Sequence, residues 1–248
     1  GASTAEAQSL VAVDLAHQIV DALTGKGIRN AANIPFVDPK EMDELMPFIL
    51  LGEKLGLLGS QLAEGAVQKV EVDYSGLVTE YDVSPVTVAV LKGVLVPHLD
   101  TMVNYVNAPL IAKERGLSFS ETKSSDTMGY TNVVTVKVLS EKETTISGVI
   151  FTERKDPRIV RIDGYHVDMK PFGWHLVVVN EDKPGMIGSV GTLLGNDGFN
   201  VSDMTLGRME KGGQAIAAIN IDEQLPDALV EKIKKLDQVI SANQVNLQ

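Results

Sequence analysis

The clearest hydrophobic pattern in the chain is an apolar run at 174–179, followed by turn residues and then by apolar positions at helical spacing. A run of six such residues favours a strand that is covered on both faces or paired inside a sheet. Pro184 and Gly185 end the strand and leave the first backbone N–H groups of the next helix unpaired. Gly198 suits a left-handed end for that helix. The helix presents one apolar stripe, made of Met186, Ile187, Val190, Leu193 and Leu194.

The same kind of pattern extends through the last part of the chain, from about Gly173. It predicts strand, helix, strand, strand, helix, strand, with the later strands at 200–206, 214–221 and 239–247. The second helix starts near Pro226 and buries one stripe, made of Leu229, Val230, Ile233 and Leu236. This βαββαβ order is the ferredoxin-like arrangement. It leaves sheet edges open, which favours pairing with a second copy of the chain.

The middle of the chain alternates helical and strand patterns. Helices are predicted from Met42 to Leu58, from Ser84-Pro85, where the serine would cap the helix, and from Asn107-Ala108-Pro109. Strands are predicted around 70–74, 134–138, 146–151, 158–162 and 166–169. Asp163-Gly164 suits a hairpin turn between the last two strands. The polar stretch from Glu121 to Asp126 carries no predicted element. The expected fold class is therefore α/β (α+β): an α/β domain followed by the ferredoxin-like domain.

The beginning of the chain predicts a helix that enters almost at once, with Ser3 and Glu6 as a capping box. Gly25 and Gly27 would end it, and a short linker would follow. Because the apolar stripe of this helix has little nearby to cover it, the start is interpreted as a cut. We therefore expect three parts: a remnant at 1–41, an α/β domain at 42–172 and the last domain at 173–248.

Composition narrows the classes of function. The chain has 248 residues, 44% of them hydrophobic and 22% charged, which is typical of a globular protein with a sizeable core. The net charge of −11 argues against a nucleic-acid surface. The absence of cysteine excludes a thiolate nucleophile and a cysteine-based metal site, and the four histidines show no metal-ligand spacing. With no long apolar run and no signal peptide at its start, the chain is predicted to be cytoplasmic and to have no membrane contact.

The candidate chemistry lies where the 174–179 strand meets its helix. Open N–H groups at a helix start attract a carboxylate, and Asp182 attracts an ammonium. With Asn180 beside them, these groups suit a free amino acid. The alternative is that Asp182 only caps the helix. The residues of this stretch leave both interpretations open.

Several segments resemble the long-form D-3-phosphoglycerate dehydrogenases. The opening Gly1-Ala2-Ser3-Thr4-Ala5-Glu6-Ala7-Gln8 is similar to the segment that follows the catalytic histidine in that family. Ile162-Asp163-Gly164-Tyr165-His166-Val167-Asp168 resembles its intervening, allosteric substrate-binding domain. Val179-Asn180-Glu181-Asp182-Lys183-Pro184-Gly185, with the order of elements, resembles an ACT domain. The resemblance covers the whole chain.

The resemblance implies a regulatory fragment of an enzyme that oxidises 3-phosphoglycerate with NAD in L-serine biosynthesis. It also implies that the nucleotide-binding loop and the catalytic residues precede Gly1, so that this chain binds no NAD and is inactive alone. The implied partners are L-serine or another small amino acid, bound between two ACT domains of a homo-oligomer. The implied effector-binding residues are Asn180, Asp182, Gly185, Met186 and Ile187 of one subunit and Asn200 of the other.

A basic cluster at 154–170 is the second candidate site. The resemblance implies a phosphorylated anion here, with Arg161, His166 and Lys170 as its ligands. The favoured interpretation is a solvated strand face whose cations pair with neighbouring carboxylates. Two further hypotheses for the whole chain are a free-standing amino-acid sensor and a regulatory subunit of a serine dehydratase. The dehydratase needs an iron–sulfur cluster, which a chain without cysteine cannot hold.

Overall fold

A computed structural model describes residues 4–23, 39–151 and 155–248, which form two compact units with their boundary between Asp43 and Glu44. The first unit contains helix α1 (Ala5–Leu23) and the start of helix α2 (Pro39–Leu62). The Thr4 hydroxyl accepts a hydrogen bond from the Ala7 N–H at 3.3 Å and so caps α1. The predicted capping residue Ser3 and the predicted helix end at Gly25 and Gly27 lie outside the described residues.

The second unit begins with three helices and a six-stranded sheet. In chain order its elements after α2 are β1 (Lys69–Gly76), α3 (Ser84–Leu95), α4 (Ala108–Glu114), β2 (Ser118–Ser124), β3 (Asn132–Leu139), β4 (Glu143–Phe151), β5 (Asp156–Ile162) and β6 (Tyr165–Met169), with 3₁₀ turns at Leu77–Glu80 and Val96–His98. The strand order is β2-β1-β3-β4-β5-β6. Only the β1–β2 pair of this sheet is parallel.

Alternate side chains of β1 and a glycine of α2 allow the six-stranded sheet and the helices to pack closely. Val70, Val72 and Tyr74 of β1 are buried, as their spacing predicts. Helix α2 then packs against α3 at close range, because a Cβ placed on Gly56 would lie only 2.2 Å from the Val90 carbonyl oxygen. The predicted hairpin turn is also confirmed: Asp163 has a φ of 48° and is followed by Gly164, so both positions are left-handed.

Two local predictions for this region are wrong. The polar stretch from Glu121 to Asp126 is not wholly irregular: its first four residues belong to strand β2, whose residues are all exposed at the sheet edge. A strand solvated on both faces shows no hydrophobic alternation, so the pattern gave no signal. Ser84 does not cap α3: Val83 occupies the cap position, and the Ser84 hydroxyl donates to Asp82.

The last part of the chain forms a four-stranded antiparallel sheet with two helices on one face. Its elements are β7 (Trp174–Glu181), α5 (Met186–Asn196), β8 (Val201–Arg208), β9 (Gln214–Ile221), α6 (Asp227–Lys234) and β10 (Val239–Asn246), and the sheet order is β10-β7-β9-β8. The core contains the predicted stripes of both helices. The predicted ferredoxin-like βαββαβ order is confirmed.

The two sheets of the second unit meet where the edge strands β6 and β8 run side by side. The Asp168 N–H donates to the Thr205 hydroxyl at 3.1 Å, and a Cβ on Gly207 would lie 2.1 Å from the His166 carbonyl oxygen. The side chain of Gln61 in α2 donates to and accepts from the Asn246 backbone of β10, at 2.9 and 2.8 Å. The edge of β8, which the sequence predicts to be open, is therefore partly covered by the same chain.

Candidate functional site

A cavity of about 240 Å³ lies at the end of β7, above the start of α5. It is lined by Asn180, Asp182, Lys183, Met186, Ile187, Leu206, Gly207, Arg208, Ala215 and Ile216. Four of the predicted effector-binding residues, Asn180, Asp182, Met186 and Ile187, are therefore brought together. Gly185 adjoins them as the residue before α5. Strands β8 and β9 supply the remaining wall.

The start of α5 offers open backbone donors to this cavity. Gly185 has a φ of 95°, a left-handed conformation that favours glycine, and no side chain caps the helix. The first N–H groups of a helix lack intrahelical acceptors, and the helix dipole makes this end partly positive. The interpretation of Asp182 as the cap of this helix is therefore wrong, and the helix start can bind an anionic group.

Asp182 instead connects the end of β7 to the turn between β8 and β9. Its Oδ2 accepts hydrogen bonds from the Gly212 N–H and from Arg208 Nη1, each at 3.0 Å. The Gly212 N–H and, next, the Arg208 guanidinium lower the pKa of the Asp182 carboxyl. An ammonium group in the cavity would share this carboxylate with Arg208. Sequence reasoning missed Arg208, because only the β8–β9 hairpin brings it near a residue 26 positions away.

Asn180 supplies a buried polar atom with no partner. The residue is only 3% exposed, and its Nδ2 donates to the Glu181 carbonyl oxygen at 2.7 Å. Its Oδ1 has no hydrogen-bond partner within the described residues. Because a buried polar atom without a partner costs about 1–3 kcal/mol, a ligand that donates to Oδ1 would be stabilised here.

Asn200 lies away from this cavity within the chain. It precedes β8, whose Val201 pairs with Ile221, whereas Arg208 pairs with Ala215 at the other end of the strand. At about 3.3 Å per residue, Asn200 is on the order of 25 Å from Arg208 along the strand. Its Nδ2 donates to Asp222 Oδ2 at 2.8 Å. Only a second copy of the chain could bring an Asn200 to this cavity.

The three predicted anion ligands occupy two separate places. Arg161 and His166 face each other across β5 and β6, with Nη2 and Nε2 3.2 Å apart. Lys170 instead lines a different cavity of about 370 Å³, together with Asp168 and Asp203. The two carboxylates give this second cavity a mixed charge. Of the rest of the basic cluster, Arg154 lies outside the described residues.

The second cavity also contains a histidine that sequence reasoning did not assign to a site. His175 is 1% exposed, and its Nε2 lies 3.1 Å from Asn220 Nδ2. Burial is the main cause that lowers the pKa of His175, so the neutral ring is favoured. An amide N–H donates to a ring nitrogen, which makes Nε2 the acceptor. The ring therefore joins β7 to its neighbour β9, in which Asn220 is the paired residue.

The described residues contain no cluster of three or more histidine and acidic side chains that could hold a metal ion. Among the described helices, none combines the length and apolar character needed to cross a bilayer.

Comparison with protein families divides the chain in two. Residues 44–163 match the D-3-phosphoglycerate dehydrogenase intervening domain, and residues 174–238 match the ACT domain. The cavity above α5 thus lies within the ACT match. The second match covers β7 to α6 and ends just before β10.

Several curated proteins similar to the chain are named D-3-phosphoglycerate dehydrogenase. D-3-phosphoglycerate dehydrogenase of Bacillus subtilis is 36% identical over 247 residues, covering 100% of this chain and 47% of the relative. The Synechocystis protein of the same name is 39% identical over 249 residues, covering 100% of this chain and 45% of the relative. That of Methanocaldococcus jannaschii is 36% identical over 248 residues, covering 100% and 47%. The chain therefore spans just under half the length of these relatives and corresponds to their C-terminal part.

Proposed function

The chain consists of a D-3-phosphoglycerate dehydrogenase intervening domain followed by an ACT domain, and from this premise we propose that it is the regulatory part of such an enzyme. In this proposal the whole enzyme oxidises 3-phosphoglycerate with NAD, as the first step of L-serine biosynthesis in the cytoplasm. The chain itself binds no NAD and transfers no hydride. Its contribution is to bind an effector and to bias the distant catalytic domains.

The proposed effector is L-serine or another small amino acid, bound in the cavity above α5. The ligand carboxylate would accept hydrogen bonds from the open N–H groups of Met186 and Ile187. Its ammonium would lie against Asp182, and its hydroxyl would donate to Asn180 Oδ1. The buried Asn180 Oδ1 without a partner, beside a helix start without a cap, is the observation that supports this assignment most directly.

A second copy of the chain would complete the site by contributing its Asn200. Ligand binding would then depend on the relative orientation of two ACT domains. A ligand that binds one orientation more tightly shifts the population toward it, and such coupling amounts to about 1–3 kcal/mol. The proposed regulation is this population shift, transmitted to the catalytic domains of the whole enzyme.

Isothermal titration of the chain with L-serine tests the ligand. The Asp182→Asn variant should weaken binding by about tenfold or more, because a charge-assisted hydrogen bond contributes roughly 1.5–3 kcal/mol. Asp197→Asn is the matched control: Asp197 lies at the other end of α5 and pairs with Lys232 at 3.4 Å. Absence of heat at millimolar serine, or equal loss in both variants, would refute the assignment.

Mixing two variants tests the shared site. Asp182→Asn and Asn200→Ala should each lose serine binding alone. When the two are mixed, half of the dimers are heterodimers, and each of these has one site built from unmutated residues of both chains. About a quarter of the sites should therefore recover. No recovery in a mixture that sedimentation shows to be dimeric would mean that Asn200 does not belong to the site.

A further inference from the structure

A third cavity, of about 300 Å³, lies in the intervening domain between the end of α3 and the end of α4. Its floor is apolar and includes Val94, Leu95 and Leu117, which are at most 6% exposed. Its rim carries two nitrogen-containing side chains, His98 and Arg115. An apolar floor with a small number of convergent polar groups is the usual form of a small-molecule site.

A buried serine positions the histidine of this rim. Ser60 of α2 is 2% exposed, and its hydroxyl donates to the Val94 carbonyl oxygen at 2.7 Å. The same oxygen lies 2.7 Å from His98 Nε2. Because a hydroxyl has one hydrogen, already given to Val94, Nε2 must be the donor to Ser60. This leaves Nδ1 as an acceptor, and it makes Ser60 a positioning residue rather than a nucleophile.

The arginine of the rim has no counter-ion. In the part of the chain that the structure describes, no hydrogen bond or ion pair engages the Arg115 guanidinium. One carboxylate lies beside the lining residue Gly65: Glu141 Oε1 is 2.7 Å from where a Cβ of Gly65 would be. A free guanidinium over an apolar floor suits a carboxylate, which it binds with two parallel N–H groups.

We propose that this cavity binds a small carboxylate with an apolar body. The carboxylate lies against the Arg115 guanidinium, and the hydrocarbon chain lies on Val94, Leu95 and Leu117. In a chain with a net charge of −11, long-range attraction does not favour anions, so binding depends on these local groups. The site is separate from the cavity above α5 and does not depend on the proposed amino-acid effector.

The test uses the whole chain with butyrate, hexanoate, hexanol and hexylamine as probes, followed by saturation-transfer NMR. Hexanoate should bind, with its signals saturated along the hydrocarbon chain. Butyrate should bind more weakly, by about fourfold for each CH₂ that it lacks, since a buried CH₂ contributes roughly 0.8 kcal/mol. Hexanol should bind at least tenfold more weakly than hexanoate, because it cannot form the charge-assisted pair.

Variants test whether hexanoate binds in this cavity. Arg115→Gln should weaken hexanoate binding about tenfold or more. The control is Lys113→Gln, which removes a cation from the last turn of α4 outside the cavity and should leave hexanoate binding unchanged. Asp182→Asn should also leave hexanoate binding unchanged. Circular dichroism of each variant checks the fold. The proposal is overturned if hexylamine binds as tightly as hexanoate, if Arg115→Gln binds normally, or if hexanoate does not bind in the millimolar range.

Discussion

The contact between β6 and β8 should be intolerant of a single methyl group at Gly207. In the Gly207→Ala variant the added Cβ would lie 2.1 Å from the His166 carbonyl oxygen. An unstrained carbon–oxygen contact is about 3.3 Å, so the two strands must separate by on the order of 1 Å. Gly207 also lines the cavity above α5.

Two effects determine how much stability the Gly207→Ala variant loses. Inserting a methyl into a close-packed contact typically costs about 1–3 kcal/mol. Separation also weakens the hydrogen bond from the Asp168 N–H to the Thr205 hydroxyl, a net loss of about 1 kcal/mol. The free energy of unfolding should therefore fall by about 2–4 kcal/mol.

Urea unfolding measures this loss, and amide exchange at Thr205 to Arg208 locates it. Gly191→Ala is the control: Gly191 lies inside α5, and a Cβ there would meet no atom within 4 Å. This variant should be stabilised by up to about 1 kcal/mol, through helix propensity. If Gly207→Ala is as stable as Gly191→Ala, or if exchange accelerates only away from β8, the reasoning about the junction is refuted.

Two further predictions concern contacts that hold the ACT domain. Gln61→Ala should destabilise the chain by about 1–2 kcal/mol, because its two hydrogen bonds to the Asn246 backbone are lost. Amide exchange at Asn246 should become faster, and an unchanged exchange rate there would contradict the role of Gln61. The folded-state pKa of Asp182 is lowered, so the stabilisation it provides is complete above its unfolded-state pKa and is lost as the pH falls through the folded value. Carboxyl NMR should show Asp182 titrating below the ordinary aspartate range, and Arg208→Gln should raise its pKa; no change in that variant would mean that the ion pair is not formed.

The sequence by itself determined the elements that bury one apolar face. The β7 run, the break at Pro184-Gly185 and the stripe of α5 were sufficient to place the ferredoxin-like domain and the start of its helix, because hydrophobic periodicity and backbone constraints are local. The same locality identified two residues that line the candidate cavity, because Asn180 lies in β7 and Asp182 directly follows that strand.

Tertiary structure alone decided how distant segments meet. Strand β2 is exposed throughout and forms because it pairs with β1. Its sequence therefore has no hydrophobic periodicity that could have predicted it. Arg208 reaches Asp182 only through the β8–β9 hairpin, and Lys170 is separated from Arg161 although the three basic candidates are close in sequence. Pairing register and side-chain direction set these contacts, and both depend on long-range packing rather than on the residues of any one segment.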